Sequence, residues 1–375
     1  MRILTEECKK ILNLRLLLLL TLFAVLFYNM FSELSLYPAG GQCTDSPYDM
    51  PYAATLIQKF GPTLPVNEKW KIVKEQKSLV EKATQIIRKD QALKKTGVTD
   101  YEHMKKEYDR LSDLEDNDKQ MTKKEQKEYQ AIIEFLTFPG SGEKIYFQIQ
   151  YTDELLNDFN HAERKEVNML RSGAVYILQS DMGQMPILIL ISYAVLLIAY
   201  HVRERLCGVL PLYGTTRTGR KIYRMQYQAG MLCCLLLGTL QLAIYTAVWM
   251  IKGMGIFWQC PAWENSGADC WLNGLTLGQY MAVYEILVLI FCLSVMALIY
   301  LAARTAPGYI SGVVFEIAVC ALGGIAGYLL FSGLCSSTSI IAVKMWELPT
   351  ILSCVIVAVG IIYFRLKRDK TRDVV

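Results

Sequence analysis

Histidine is scarce in this chain: His103, His161 and His201 are the three present in 375 residues. They are too scattered to offer a zinc-ligand spacing. No Ser/His/Asp or Cys/His grouping stands out for hydrolysis, so no catalytic residue and no metal ligand is assigned. A complete phosphate loop is missing as well. Residues 214–224 read GTTRTGRKIYR, one step from G-x-x-x-x-G-K-[ST], but Arg220 stands where a lysine should reach the phosphates. Lys221 occupies the position of the hydroxyl that ligates magnesium, so the metal would face a cation. The preceding run, PILILISYAVLLIAYHVRERLCGVLPLY, is too long for the strand that feeds such a loop. No basic patch with interleaved aromatics is present, which argues against nucleic acid as a partner.

Apolar residues are abundant, at 53% of the chain, yet the middle is dense in Lys and Glu. That mixture indicates a membrane protein carrying a polar domain. Runs near the ~20 residues needed to cross a bilayer occur at 14–32, 183–202, 227–251, 278–303, 308–331 and 346–364, which predicts six transmembrane helices. The first follows Lys9, Lys10 and Arg15, is long for a signal peptide and has no A-x-A cleavage site after it. Cys43 lacks a lipoprotein signature, and the run reads as an uncleaved anchor.

Orientation follows from the positions of basic residues. Arg203, Arg205, Arg217, Arg220, Lys221 and Arg224 lie between the second and third spans, and Arg365, Lys367, Arg368, Lys370 and Arg372 lie in the tail. The loop 253–276 has no Lys or Arg, and 332–345 has only Lys344. Both termini are therefore expected in the cytoplasm, with the polar section 33–182 extracellular. The expected fold class is an all-α membrane protein at the cell membrane, with a mostly helical extracellular domain between its first two spans. The net charge of +4 gathers in the cytoplasmic segments, where it meets anionic lipid headgroups or an acidic partner.

Within 66–95, the apolar residues Ile72, Val73, Leu79, Val80, Ala83, Ile86 and Ile87 follow helical spacing, with Gln76 as an exception. Thr99 with Glu102 and Thr122 with Glu125 match the Thr-x-x-Glu capping box, predicting helices near 100–112 and 123–137. KIYFQIQY alternates as a strand would, and equally suits the start of a helix expected over 153–178. The charge runs read as solvated faces.

Of eleven cysteines, those in apolar spans read as small packing residues. Cys260 and Cys270 share one external loop, flanked by tryptophans suited to a membrane interface. An oxidising compartment permits a disulfide between them, and a reducing one leaves two thiols. Glu285 and Glu316 fall inside spans, where an ionised carboxylate is expensive and must face protein or water. Each reads as part of a substrate pathway or as a neutral, hydrogen-bonded structural group. The sequence shows no intramembrane cation placed to pair with either. ALGGIAG spaces small residues for close helix approach.

The cytoplasmic stretch carries a resemblance. After the second span come Glu204, Gly208, the segment VLPLYGTTRTGRK, and Arg224 with Gln226 leading into the third. This order resembles the permease subunits of ABC type-2 exporters, over 1–32 and 183–375; YRMQ departs from the family in lacking its usual Lys. The resemblance implies a short helix within 203–226 that docks into a separate ATPase, with Glu204, Gly208, Leu210, Tyr213, Gly214, Arg217 and Arg220 at the contact. It also implies that TEECKKILNLR lies along the inner membrane surface. The residue types agree: Val209, Leu210, Leu212 and Tyr213 supply apolar contact, and Thr215, Thr216, Arg217 and Arg220 supply polar contact. An ordinary basic loop obeying the positive-inside rule is the plainer account.

The domains expected are thus 1–32, an interfacial helix with the first span; 33–182, extracellular; and 183–375, five spans with the segment 203–226 and a basic tail. The leading expectation is a non-catalytic permease subunit of an ATP-driven exporter, binding no cofactor itself. ATP and magnesium are used by partner ABC ATPase subunits, and a second permease subunit, identical or different, completes the pathway in the lipid bilayer. The cargo expected is an antimicrobial peptide or a lipid-like amphiphile. The alternatives are a membrane receptor that senses an extracellular peptide without transport, and an intramembrane enzyme, for which two carboxylates are too little.

Overall fold

The computed structural model describes residues 2–31, 49–116, 121–137, 141–170, 173–207, 217–262, 274–306, 308–331 and 360. The chain begins with α1 (Arg2–Ile11) and α2 (Leu14–Phe31), bent by 53° at their junction. Asn13 sets the break: its Oδ1 accepts the Arg15 amide at 3.0 Å, which caps the new helix start.

A polar unit follows, with α3 (Asp49–Phe60), β1 (Thr63–Pro65), α4 (Trp70–Ile87), α5 (Gln91–Thr96), α6 (Tyr101–Asp116), α7 (Lys123–Thr137), α8 (Ser141–Asn160) and β2 (Glu166–Asn168). The strands pair antiparallel, Leu64 opposite Val167, and bring the start and end of the unit together. The expected amphipathic helix is present: Ile72, Leu79, Ala83 and Ile87 of α4 are buried, against α8. Gln76, out of pattern on α4, donates its amide to Asp153 of α8. Asp90 caps α5 by accepting the Ala92 and Leu93 amides, and Gly97 ends it with φ of 92°.

Three local expectations are corrected or sharpened. KIYFQIQY lies within α8 and forms no strand among the described residues. Ile145, Ile149, Thr152, Leu155 and Phe159 are buried at helical spacing, and that longer period overrides the short alternation. The helix expected over 153–178 ends at Asn160, with β2 and a turn intervening before the next helix. The cap of α6 is Asp100, whose Oδ1 accepts the His103 amide at 2.9 Å; Thr99 bonds to Asp100 instead. The Thr122–Glu125 box forms as expected, with reciprocal bonds of 2.9 and 3.3 Å.

The membrane unit continues with α9 (Gly173–Leu206), α10 (Arg217–Ile251), α11 (Leu277–Thr305) and α12 (Tyr309–Phe331). Among the described residues, four helices are long and apolar enough to cross a membrane: Asp181–Glu204, Arg224–Ile251, Leu277–Ala303 and Tyr309–Phe331. The pair Ile3–Ile11 and Leu14–Met30, bent by 53°, passes the same test of length and composition when taken together, and as one span it brings the number to five. The sixth expected run, 346–364, lies outside the described residues. Thr276 and Gln279 form a capping box at the start of α11, the same four-residue pattern read elsewhere in the chain.

α9 packs on α10, α11 and α12, and α1 and α2 pack on α10 and α9. The small residues of ALGGIAG serve close approach as expected. A Cβ on Gly323 would meet Val295 of α11 at 2.5 Å, and one on Gly327 would meet Pro186 of α9 at 2.6 Å. The other side of α12 exposes Ile310, Val314, Phe315, Ile317, Leu322 and Ile325, a surface suited to lipid.

Candidate functional site

One end of the membrane unit carries Lys9, Lys10, Arg203 and Arg224, and polar side chains from neighbouring helices meet inside it. Glu7 of α1 is 4% exposed. Its Oε2 accepts the Tyr200 hydroxyl of α9 at 2.8 Å, and its Oε1 accepts Lys10 Nζ at 2.6 Å. Tyr200 and His201 are consecutive on α9, so they point to different neighbours. His201 places Nδ1 at 3.0 Å from Glu316 Oε1 on α12, and its ring stands edge to face against Tyr300 of α11, centroids 5.2 Å apart. Tyr300 in turn meets Tyr227 of α10, at 5.3 Å. One turn beyond Tyr200, Glu204 accepts a hydrogen bond from Gln226 of α10 at 2.7 Å.

The expectation that no cation is placed to pair with an intramembrane carboxylate is therefore corrected: His201 is the partner of Glu316. Glu316 is 1% exposed and lies seven residues into α12, about 10 Å along its axis. A carboxylate at that depth requires a donor, and imidazole supplies one in either charge state. Glu7, Tyr200, His201 and Tyr300 were not singled out for the site, whereas Gln226 belonged to the resemblance without a contact of its own. For Glu7 and His201 a sequence signal existed: Glu7 shares a helical face with Ile11, and His201 closes an apolar run. Nothing in the spacing joins residues 201 and 316, because any turn of a uniformly apolar helix offers the same face.

Glu285 sits apart, near the other end of α11. Its Oε1 accepts the Thr246 hydroxyl of α10 at 2.6 Å. The two carboxylates singled out from the sequence thus belong to different polar groups and are not brought together. Midway, Gln241 donates to Ser192 Oγ at 2.7 Å, with both residues fully buried.

Of the expected docking residues, Glu204 is the one whose side chain is described, joined to Gln226. Arg217 and Arg220 were assigned to a short docking helix; they lie instead in the first turns of the long α10. Gly208, Leu210, Tyr213 and Gly214 lie outside the described residues. Cys260 is a buried thiol without a bridge among the described residues, and its expected partner Cys270 lies outside them. Burial pushes the Cys260 thiol up to about 12, which makes the reactive thiolate scarce. Its carbonyl accepts the Leu277 amide at 2.7 Å, tying the loop to the start of α11.

The site has no substrate-sized reactive constellation among the described residues; no group of three or more metal-ligating side chains converges there either. Contacts run from α1 through α9 to α12, and Glu204 joins α9 to Gln226 of α10. No family model, curated protein or solved structure matches the chain.

Proposed function

We propose that this chain is the membrane-spanning subunit of an ATP-driven exporter, with both termini in the cytoplasm and residues 33–182 outside the cell. The observation that carries the reading is the hydrogen bond between Glu204 and Gln226. These residues bracket the segment that resembles the ATPase-docking motif of ABC type-2 permeases, and the bond clamps the two helices from which it springs. The Glu7–Tyr200 contact adds α1 to the same clamp. A push on 203–226 by a partner ATPase then reaches α9 and α10 directly, α1 through Tyr200, and α12 through the neighbouring His201. A second permease subunit completes the pathway, and an amphiphile is the cargo. ATP and magnesium belong to the partner.

The test begins with the tagged chain purified from its own membranes, where a P-loop ATPase is expected to copurify. Reversing Arg217 and Arg220 to Glu, or placing Val at Gly208 or Gly214, is expected to lower ATP-dependent transport more than expression. The chain alone is expected not to bind ATP. Saturable ATP binding by the isolated chain, or unchanged transport in all four variants, would overturn the docking role. Absence of any copurifying ATPase would favour the receptor.

A further inference from the structure

The other end of the membrane unit holds a second polar group, which the coupling scheme leaves unused. Tyr28 of α2 is 2% exposed, and its hydroxyl has no hydrogen-bond partner among the described residues. Its ring meets that of Tyr245 on α10 edge to face, centroids 5.2 Å apart. The Tyr245 hydroxyl lies 3.3 Å from Oδ2 of Asp181, which opens the apolar part of α9. Beside Tyr245, Thr246 donates to Glu285 of α11 at 2.6 Å. The Glu285 carboxylate lies within electrostatic reach of both tyrosine hydroxyls. Four helices therefore converge two carboxylates, two phenols and a threonine.

The hydrogen bonds present leave Glu285 and Tyr28 incomplete. Thr246 has one proton to give, and the Leu242 carbonyl at 3.2 Å competes for it. Among the described residues no Lys, Arg or His pairs with Glu285. A carboxylate inside a membrane bundle is costly unless a donor or a positive charge faces it. The Tyr28 hydroxyl, buried and idle nearby, is costly for the same reason. A single group between them that donates hydrogen bonds and carries positive charge would satisfy both. A protonated primary amine does this: it donates to Glu285 and to the Tyr28 oxygen, and its charge is favoured by the adjoining phenol rings. A bare divalent ion suits the set less well, because it demands six or so oxygen ligands at short range.

We infer that Tyr28, Tyr245, Thr246 and Glu285, with Asp181 at the rim, form a binding site for the protonated amine of an amphiphilic molecule. That this amphiphile is cargo rests on the exporter reading; that the site binds an ammonium group does not. The helices that carry these groups are apolar along most of their length, which matches an alkyl chain, so the class inferred is a cationic amphiphile.

The experiment uses the full chain in neutral-lipid nanodiscs at neutral pH, with dodecylamine as probe and dodecanol as its uncharged counterpart. Binding is read by intrinsic fluorescence, since Trp249 lies one turn from Tyr245 on α10. Dodecylamine is expected to bind saturably, and Glu285→Gln to weaken it about tenfold or more, the scale of one charge-assisted contact. Tyr28→Phe is expected to weaken it about threefold, a loss of one neutral hydrogen bond. Dodecanol binding should not respond to either change. Equal affinity for the two probes, or unaltered dodecylamine affinity in both variants, overturns the site. Displacement of dodecylamine by equimolar sodium ion overturns the amine in favour of a metal ion. Tyr28→Phe removes an oxygen that has no described partner and keeps the ring, so it supplies the answer if Glu285→Gln unfolds. Failure of dodecylamine to bind leaves the ATPase partnership standing, and failure to find an ATPase leaves the amine site standing.

Discussion

Asp153 in the polar unit and Glu316 in the membrane unit each receive a partner from a distant part of the chain, under opposite conditions. Asp153 takes Gln76 of α4 and Lys105 of α6, the latter at 3.1 Å, with about a third of its side chain in solvent (35%). Glu316 takes His201 at 3.0 Å with 2% of its side chain accessible. Water can replace either partner of Asp153, so each contact contributes little. Nothing replaces His201. In the polar unit a polar pair selects among surface arrangements, whereas in the membrane unit it fixes which turn of α9 faces α12.

The largest expected effect tests that difference. His201→Leu leaves Glu316 without its donor and is expected to destabilise the membrane unit by about 3 kcal/mol. Lys105→Ala, which removes the charged partner of Asp153, is expected to cost less than about 1 kcal/mol. Unfolding of the full chain in detergent, followed by near-ultraviolet dichroism for the first and by far-ultraviolet melting for the second, measures both. The double variant His201→Leu with Glu316→Leu is expected to recover most of the loss, because an apolar pair leaves no buried charge behind. Equal costs for the two single variants, or an additive double variant, would erase the distinction.

The same contrast explains what was legible in the sequence. α4, α6 and α7 are amphipathic, so Ile72, Leu79, Ala83 and Ile87 announce both the helix and its buried face. In the middle of α9 and along α11 almost every side chain is apolar. Length therefore announces a span, but the buried face is hidden. Six spans were expected, and the described residues bear out four, or five with the bent first pair. Glu285 and Glu316 stood out because a charge in hydrocarbon is expensive, while their partners Thr246 and His201 did not. Threonine is ordinary in a span, and the imidazole lies 115 residues from its carboxylate. Gly323 and Gly327 were legible as a packing surface from their spacing, though not as the place where Val295 and Pro186 press closest. Of the two readings of KIYFQIQY the helical one holds; the sequence left both open because eight residues sample a period of two and a helical face equally well.

A smaller effect sharpens the reading of caps in the polar unit. Thr99 and Asp100 are adjacent and either residue type caps a helix, but the His103 amide bonds to Asp100. That amide holds the Asp100 carboxyl below its usual range. A fragment spanning about 35–180 is expected to melt as a helical domain, since its helices bring their own caps and apolar faces. In it, Asp100→Ala is expected to cost about 1 kcal/mol and Thr99→Ala close to none. Thermal melting by circular dichroism decides between them. A larger loss from Thr99→Ala would restore the cap first expected from the sequence.

The smallest effect concerns Glu125, which has more partners than either membrane carboxylate and keeps about a quarter of its side chain in solvent (25%). Arg110 bonds to it at 2.9 Å, and Thr122 gives it both its amide, at 2.9 Å, and its hydroxyl, at 2.7 Å. Led by the Arg110 bond, these contacts hold the carboxyl at about 2, against an ordinary value of 4.5. A carboxyl that is more acidic folded than unfolded contributes its full stabilisation above the unfolded value. That contribution is lost as pH falls from about 4.5 toward about 2. Glu125→Gln keeps an acceptor for the Thr122 amide but removes the charge facing Arg110. It is therefore expected to lower the fragment's stability slightly at neutral pH, where the charged contact is fully present, and to flatten the acid limb, so that the two proteins converge as pH falls through that window. Because the group is solvated, added salt should shrink the difference between the two proteins. A salt-independent difference would mean that the contact is shielded from water, and the contrast between solvated and membrane carboxylates would then need to be redrawn within the polar unit itself.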